Sequence, residues 1–332
     1  MAHQLHFFVL VLTAVLGLWG FAGAGCASCA PVIGVLTLPS GEACVARRRR
    51  GRVLDEDDHN GRCFTAFYVK WLESAGARVV PIFHDAPLDQ VDALFEKLNG
   101  VLFTGGDIDI KNPSPAATTY LNTAERLLNL TAAAKDHMPL WGTCMGIQTL
   151  SILVAGTSSV LRTNAYDSEQ LMLPLDFTAA ADQSALFGSC PKGIKENLGK
   201  KAMTVNLHHD GVDPTEFAQN TRLSDFFNVL ATNKDRKGAP FVSVIEGKTA
   251  PVYGVQFHPE RPQFEFTYGN FSADPLSHTG DTILAMQWMA NFFVAESRKN
   301  NRKFDSEADL EKRLIYNYAM KGTSSYEWYA FP

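Results

Sequence analysis

Cys144 stands in Trp141-Gly-Thr-Cys-Met-Gly146, between an apolar run ending at Gly142 and a helical run that begins near Met145. A nucleophile set on a sharp strand-to-helix turn needs small neighbours, because the turn crowds and strains the backbone around it. Gly142 and Gly146 supply them. A helix N-terminus behind the sulfur carries the equivalent of about half a positive charge, which favours the thiolate, the reactive form. A lone cysteine is by default an inert core residue, so it is the G-x-C-x-G frame that selects Cys144 among the six cysteines. Amide hydrolysis by a thiolate also needs a proton donor for the leaving amine, usually a histidine held by a third polar group. His258, in Val252-Tyr-Gly-Val-Gln-Phe-His-Pro-Glu260, sits where a β-like run ends, and Glu260 follows it by two residues, close enough to accept from the imidazole and fix its tautomer. In Thr104-Gly-Gly-Asp107, after another apolar run, two glycines let main-chain N–H groups approach a substrate closely. The N–H groups of Gly106 and Met145 are the candidate oxyanion donors. This chemistry calls for no metal and no cofactor.

These residues need a scaffold, and the chain alternates strand-like and helix-like segments around them. Apolar, β-branched runs at Pro31–Leu38, Arg78–Phe83, Gly100–Phe103 and Met138–Gly142 read as buried parallel strands. Between them, helical spacing marks Phe64–Ala75, Leu88–Leu98 and Tyr120–Ala134, with Gly76 as a terminator of the first. A helix over Ile147–Val154 follows the cysteine. Later come shorter β-like runs, Met203–Leu207, Asn228–Thr232, Phe241–Glu246 and Val252–Phe257, and a helix over Thr282–Ser297. Alternation of this kind predicts an α/β fold with a mainly parallel central sheet and helices on both faces, a three-layer sandwich. Open sheets of that class place their sites at the carboxyl ends of strands, where Cys144 and His258 both fall. With no internal repeat and no Gly/Ser-rich linker, residues 31–325 read as one domain.

The remaining features concern location. Phe7–Phe21 is an uncharged, apolar stretch of about fifteen residues followed by Ala22-Gly-Ala24. That is the order of a signal peptide over residues 1–24, and it is shorter than the roughly 20 residues of a membrane span. The expectation is a chain of the secretory pathway, with no membrane attachment after cleavage. Two sequons, Asn129-Leu-Thr131 and Asn270-Phe-Ser272, suit that route. In an oxidising compartment most cysteines pair or are buried, and with Cys144 free an odd five remain. Cys44 and Cys63 flank one loop and could reach each other. That loop carries Arg47–Arg50 and then Asp55-Glu-Asp-Asp58, opposite charge blocks that read as a solvated insertion. A formal net charge of −5 gives no support for a nucleic-acid partner.

Taken in order, Phe103-Thr-Gly-Gly-Asp107, Gly142-Thr-Cys-Met-Gly146 and Val255-Gln-Phe-His-Pro-Glu260 resemble the class I glutamine amidotransferase-like superfamily, which is flavodoxin-like in architecture and uses Cys, His and Glu. The resemblance narrows in Val69-Lys-Trp-Leu-Glu-Ser-Ala-Gly-Ala-Arg-Val-Val-Pro81, Pro139–Cys144, Phe227-Asn-Val-Leu-Ala-Thr-Asn233, Pro251–Glu260 and Phe292–Asn301. These look like the γ-glutamyl hydrolases, cysteine peptidases of family C26 that trim folate polyglutamates. The likeness implies Cys144 as nucleophile, His258 as proton donor and acceptor, Glu260 as the orienting group, and His208, Gly105 and Gln148 in the substrate cleft. It implies folate or antifolate poly-γ-glutamates as substrate, a glycan at Asn129, and a secreted, lysosomal or vacuolar location; homodimer formation stays open. Two features depart from the family. Gln148 replaces its usual Glu, so Gln148→Glu is expected to be tolerated or to improve activity, and the charged insertion before Cys63 is longer than the family's. Two other readings remain: a glutaminase module that hands ammonia to a partner, and a secreted binding protein that keeps the fold without turnover.

Overall fold

The computed structural model describes residues 28–39, 61–266, 276–323 and 326–332. The expected signal peptide, the Arg47–Arg50 insertion, Cys44 and Asn270 lie outside the described residues. The strands are β1 (Val32–Leu36), β2 (Leu38–Pro39), β3 (Arg62–Thr65), β4 (Arg78–Ile82), β5 (Gly100–Phe103), β6 (Leu140–Thr143), β7 (Leu171–Leu173), β8 (Asp176–Phe177), β9 (Thr204–Asn206), β10 (Phe227–Lys234), β11 (Pro240–Gly247), β12 (Val252–Val255), β13 (Met320–Thr323) and β14 (Tyr326–Phe331). The main helices are α1 (Ala66–Ser74), α2 (Leu88–Phe95), α3 (Pro115–Ala133), α4 (Met145–Ala155), α5 (Ala185–Gly188), α6 (Lys192–Lys200), α7 (Pro214–Gln219), α8 (Thr221–Phe226) and α9 (Gly280–Ser297).

Eight strands form the central sheet in the order β4-β1-β5-β6-β12-β11-β10-β8. The pairings from β4 through β12 are parallel and those from β12 to β8 antiparallel. The expected mainly parallel α/β sandwich therefore forms, with an antiparallel edge. Successive residues of each strand point to opposite faces. Val32, Leu36, Val80, Ile82, Val101, Phe103 and Leu140 pack with residues of α2, α3 and α4 on one side. Ile33, Val35, Val79, Leu102, Trp141 and Val255 pack with α1 and α9 on the other. Burial on both faces is why these strands read as unbroken apolar runs rather than as alternating ones.

The start of α1 differs from its local periodicity. Arg62–Thr65, within which the expected helix began at Phe64, is strand β3, pairing with β2 on one side and with β14 on the other. The partner β14 lies more than 250 residues away and beyond the expected domain end at residue 325, so nothing in the local spacing signals it. Together β13-β14-β3-β2 make a second sheet beside the first. The helix then runs from Ala66 and stops before Gly76, whose φ of +87° suits glycine. Among the described cysteines, Cys29 and Cys63 each take part in a disulfide, while Cys144 and Cys190 are free and buried. No helix among the described residues is long and apolar enough to cross a membrane.

Candidate active site

Three neighbouring parallel strands bring the site together. β6 lies between β5 and β12, with Phe103 opposite Gly142 and Val255 opposite Thr143. The turn after β5 carries Gly105 and Gly106, the turn after β6 carries Cys144, and the segment after β12 carries His258 and Glu260. Residues far apart in sequence therefore meet at one end of the sheet because their strands are in register.

Cys144 has φ 53° and ψ −108°, a conformation disfavoured for any residue with a β-carbon. Such a conformation costs on the order of 1–3 kcal/mol, and it persists because both sides of the turn are fixed. The Cys144 N–H donates to the Val255 carbonyl at 2.8 Å, and its own carbonyl begins α4 by accepting from Ile147 at 3.1 Å. The glycine frame is a packing requirement. A β-carbon on Gly142 would lie 2.7 Å from the Gly146 carbonyl carbon, and one on Gly146 would lie 2.5 Å from the Phe103 carbonyl oxygen.

His258 is buried, and its backbone N–H is tied to the Val205 carbonyl at 3.0 Å. Its Nδ1 lies 2.7 Å from Glu260 Oε1, inside a pocket that leaves Glu260 0% exposed. A carboxylate accepts only, so Nδ1 carries the hydrogen and Nε2 is left as the proton acceptor. Arg261, whose Nη1 holds Glu265 at 3.0 Å, puts its Nε 3.7 Å from the same Glu260 oxygen and offsets part of that buried charge. Gly105 is the meeting point: a β-carbon there would stand 2.8 Å from His258 Cε1, 2.9 Å from Tyr68 Oη and 3.2 Å from Cys144 Cβ. Only hydrogen fits. Next along the turn, a β-carbon on Gly106 would touch Leu38 and lie 3.0 Å from Met145 Cε, so the two candidate oxyanion residues are neighbours.

The charge on the sulfur does not follow the helix-dipole expectation. Cys144 is 5% exposed, and burial, with the negative charge of Glu260 second, pushes its thiol up to about 12. The Met145 N–H and the Arg261 charge pull the other way without prevailing, and Glu169 adds to the rise. The dipole loses because it acts on a group removed from water, where the ionised form is penalised most. The resting Cys144 is thus a thiol, and a base beside it would be needed to take its proton.

His208 lies within the electrostatic reach of His258, packed edge-on against Phe241 at 4.8 Å between ring centres. Its Nδ1–H donates to the Asp210 carbonyl at 2.8 Å. Nε2 faces Asn206 Oδ1 at 3.3 Å, and that amide spends its NH2 on the Leu171 and Thr204 carbonyls, so it cannot turn to offer a proton. Two acceptors would favour a charged ring, but the second contact is long, and burial outweighs it, drawing the pKa down from 6.5 to about 3. The unfolded chain binds this proton below about pH 6.5 and the native state only below about 3, so His208 destabilises the fold as pH falls between those values. The folding equilibrium changes by up to about tenfold per pH unit in that window. The urea midpoint is expected to drop less between pH 7 and 4.5 in His208→Gln than in the wild type; equal drops would refute a neutral buried ring.

Gln148 is buried one helical turn after Cys144 and donates its NH2 to the Asp210 carbonyl at 2.9 Å and to Gln256 Oε1 at 3.3 Å. These two donated bonds weigh against the expectation that Gln148→Glu is tolerated or beneficial. A carboxylate has no hydrogen to give, and even if Gln256 turned to offer its own NH2, the new charge would still face the Asp210 carbonyl. Leaving buried polar groups opposed costs about 1–3 kcal/mol, more for a charge. Gln148→Glu is expected to lower the thermal midpoint at neutral pH; an unchanged midpoint would show that another donor serves the position.

Of the sequons, Asn129 is exposed on α3, with Thr131 buried beneath it. Sequence reasoning overlooked Tyr68 and Arg261. Tyr68 belongs to a helical apolar pattern that marks it as core, which it is, at 2% exposed, while its hydroxyl accepts from the Gly105 N–H. Arg261 adjoins Glu260 in sequence, and that adjacency is the signal that could have found it.

Cys144 on a strained strand-to-helix turn and the buried His258–Glu260 pair meet at one end of an α/β sheet, an arrangement suited to cysteine-dependent hydrolysis. The family model for peptidase C26 matches residues 31–260, and the chain belongs to that family. It is 38% identical over 288 residues to γ-glutamyl hydrolase B of Dictyostelium discoideum, covering 87% of this chain and 78% of that one. It is 36% identical over 293 residues to the γ-glutamyl hydrolase of Homo sapiens, covering 87% of this chain and 84% of the other. A solved structure described as a putative GMP synthase protein from Thermoplasma acidophilum superposes with a TM-score of 0.46 at 15% identity, covering 85% of this chain and 98% of that one.

Proposed function

We propose that this chain hydrolyses γ-glutamyl amide bonds of folate poly-γ-glutamates through a thioester on Cys144. The observation that carries the reading is the strained Cys144 turn set against the His258–Glu260 pair, in a chain whose curated relatives are γ-glutamyl hydrolases. His258 Nε2 takes the Cys144 proton as the sulfur attacks the γ-carbonyl carbon, because a thiol pushed up to about 12 does not ionise by itself near neutral pH. The N–H groups of Gly106 and Met145 receive the oxyanion. When the tetrahedral species collapses, the C–N bond breaks and the imidazolium gives its proton to the departing amine. Water then loses a proton to His258 and attacks the thioester, releasing the γ-carboxylate as the thiol regains its hydrogen. Glu260 holds the imidazolium throughout, and His208, neutral, lines the cleft with Gly105.

No metal or organic cofactor takes part in these steps. Secretory, lysosomal or vacuolar residence suits the apolar N-terminal stretch of the sequence and the exposed sequon at Asn129. A glutaminase module is the second reading, favoured by Gln148, a residue common in amidotransferases. Incubation of the purified chain with a folate polyglutamate is the deciding experiment. Release of glutamate or γ-glutamyl peptides is expected; turnover of free glutamine alone would transfer the assignment to the glutaminase.

A further inference from the structure

We infer that Tyr68 is a positioning residue of the oxyanion pocket: its hydroxyl, beside Cys144 and His258, holds the Gly105 N–H, so that the next N–H along the turn, that of Gly106, is the one presented to the reacting carbonyl. The inference rests on the reaction proposed above and adds a residue to it. Gly105 N–H donates to Tyr68 Oη at 2.7 Å. That oxygen lies 2.9 Å from the position a Gly105 β-carbon would take, a point that also lies 2.8 Å from His258 Cε1 and 3.2 Å from Cys144 Cβ. The phenol oxygen therefore stands beside both Cys144 and His258, on a residue that is itself buried.

Two physical arguments assign it a role. First, a peptide N–H in a buried turn must find an acceptor, and a turn offered none rotates until it does. Tyr68 settles which N–H of the double glycine is spent on the protein. Second, an oxyanion donor works only if it is already aimed when charge develops, and a displacement of about 1 Å is enough to cost about a hundredfold. The anchor is rigid. Tyr68 sits on α1, whose Trp71 donates its indole N–H to the Met286 carbonyl at 3.1 Å, and Phe64, Val69, Trp71 and Leu72 pack around it in the same core cluster. A tyrosine whose only task was to fill space would not need its oxygen at this place.

Tyr68→Phe keeps the ring and removes the acceptor. It is expected to lower kcat by about 10- to 100-fold on a folate polyglutamate with KM little changed. A γ-glutamyl aldehyde, which adds to Cys144 to give a hemithioacetal with a charge-bearing oxygen, should lose affinity by the same factor. Alkylation of Cys144 by iodoacetamide passes through no oxyanion, and its rate at a fixed pH should match the wild type. Wild-type kcat and aldehyde affinity in Tyr68→Phe would overturn the role, and so would an alkylation rate that falls in step with kcat, which would mark a general disturbance of the site. If the wild type binds the aldehyde in a Tyr68-dependent way but releases nothing from polyglutamates, Tyr68 keeps its role and the substrate assignment fails.

Discussion

Cys144→Ala is expected to stop release of glutamate from a folate polyglutamate, with a fall in kcat of about 10⁴-fold or more, as when the nucleophile of a covalent mechanism is removed. Alanine is the informative replacement because it keeps a β-carbon at φ 53°, so the strained turn and its bond to the Val255 carbonyl stay as they are. The cost in stability is that of one small buried atom. A thermal midpoint close to the wild type together with lost turnover separates chemistry from unfolding. A Cys144→Ala protein that retains the wild-type rate would remove the thioester from the mechanism.

His258→Asn is expected to cost about 10²- to 10⁴-fold in kcat, the range for loss of a general acid and base. Here the effect should lie toward the upper end. In the proposed mechanism His258 acts twice, to ionise a thiol that burial holds protonated and to protonate the amine that leaves. Asparagine can donate to Glu260 from near the Nδ1 position, which limits the penalty of stranding a carboxylate that is 0% exposed. The double variant Cys144→Ala with His258→Asn should be no slower than Cys144→Ala alone, because residues that act as a unit are not additive. A double variant slower by the product of the two single losses would mean that His258 acts on something other than the nucleophile.

Much of the site was legible because its signals are local. The G-x-C-x-G frame follows from close approach within a few residues, where Gly142 and Gly146 meet, and the two-residue spacing from His258 to Glu260 is enough for one to hold the other. Gln148 was legible as a departure but not as a donor, because the Asp210 carbonyl it serves belongs to a segment more than 60 residues on. Tyr68 was hidden for a different reason. Its spacing states that it is buried, correctly, and a helical period cannot tell a tyrosine that fills space from one whose oxygen takes the N–H of a distant glycine turn.

By itself the amino-acid order determined the parallel part of the sheet, the position of Cys144 on a turn, the pairing of His258 with Glu260 and the family likeness, since each depends on apolar periodicity or on neighbours in the chain. Tertiary structure alone decided that Arg62–Thr65 is a strand, because its partner β14 comes from the far end of the chain. It also decided the ionisation of Cys144 and of His208, which depends on how completely the fold removes each from water and on which charges it sets beside them. Charge burial is a property of the packed whole, and the helix N-terminus that the local sequence places behind Cys144 does not outweigh it.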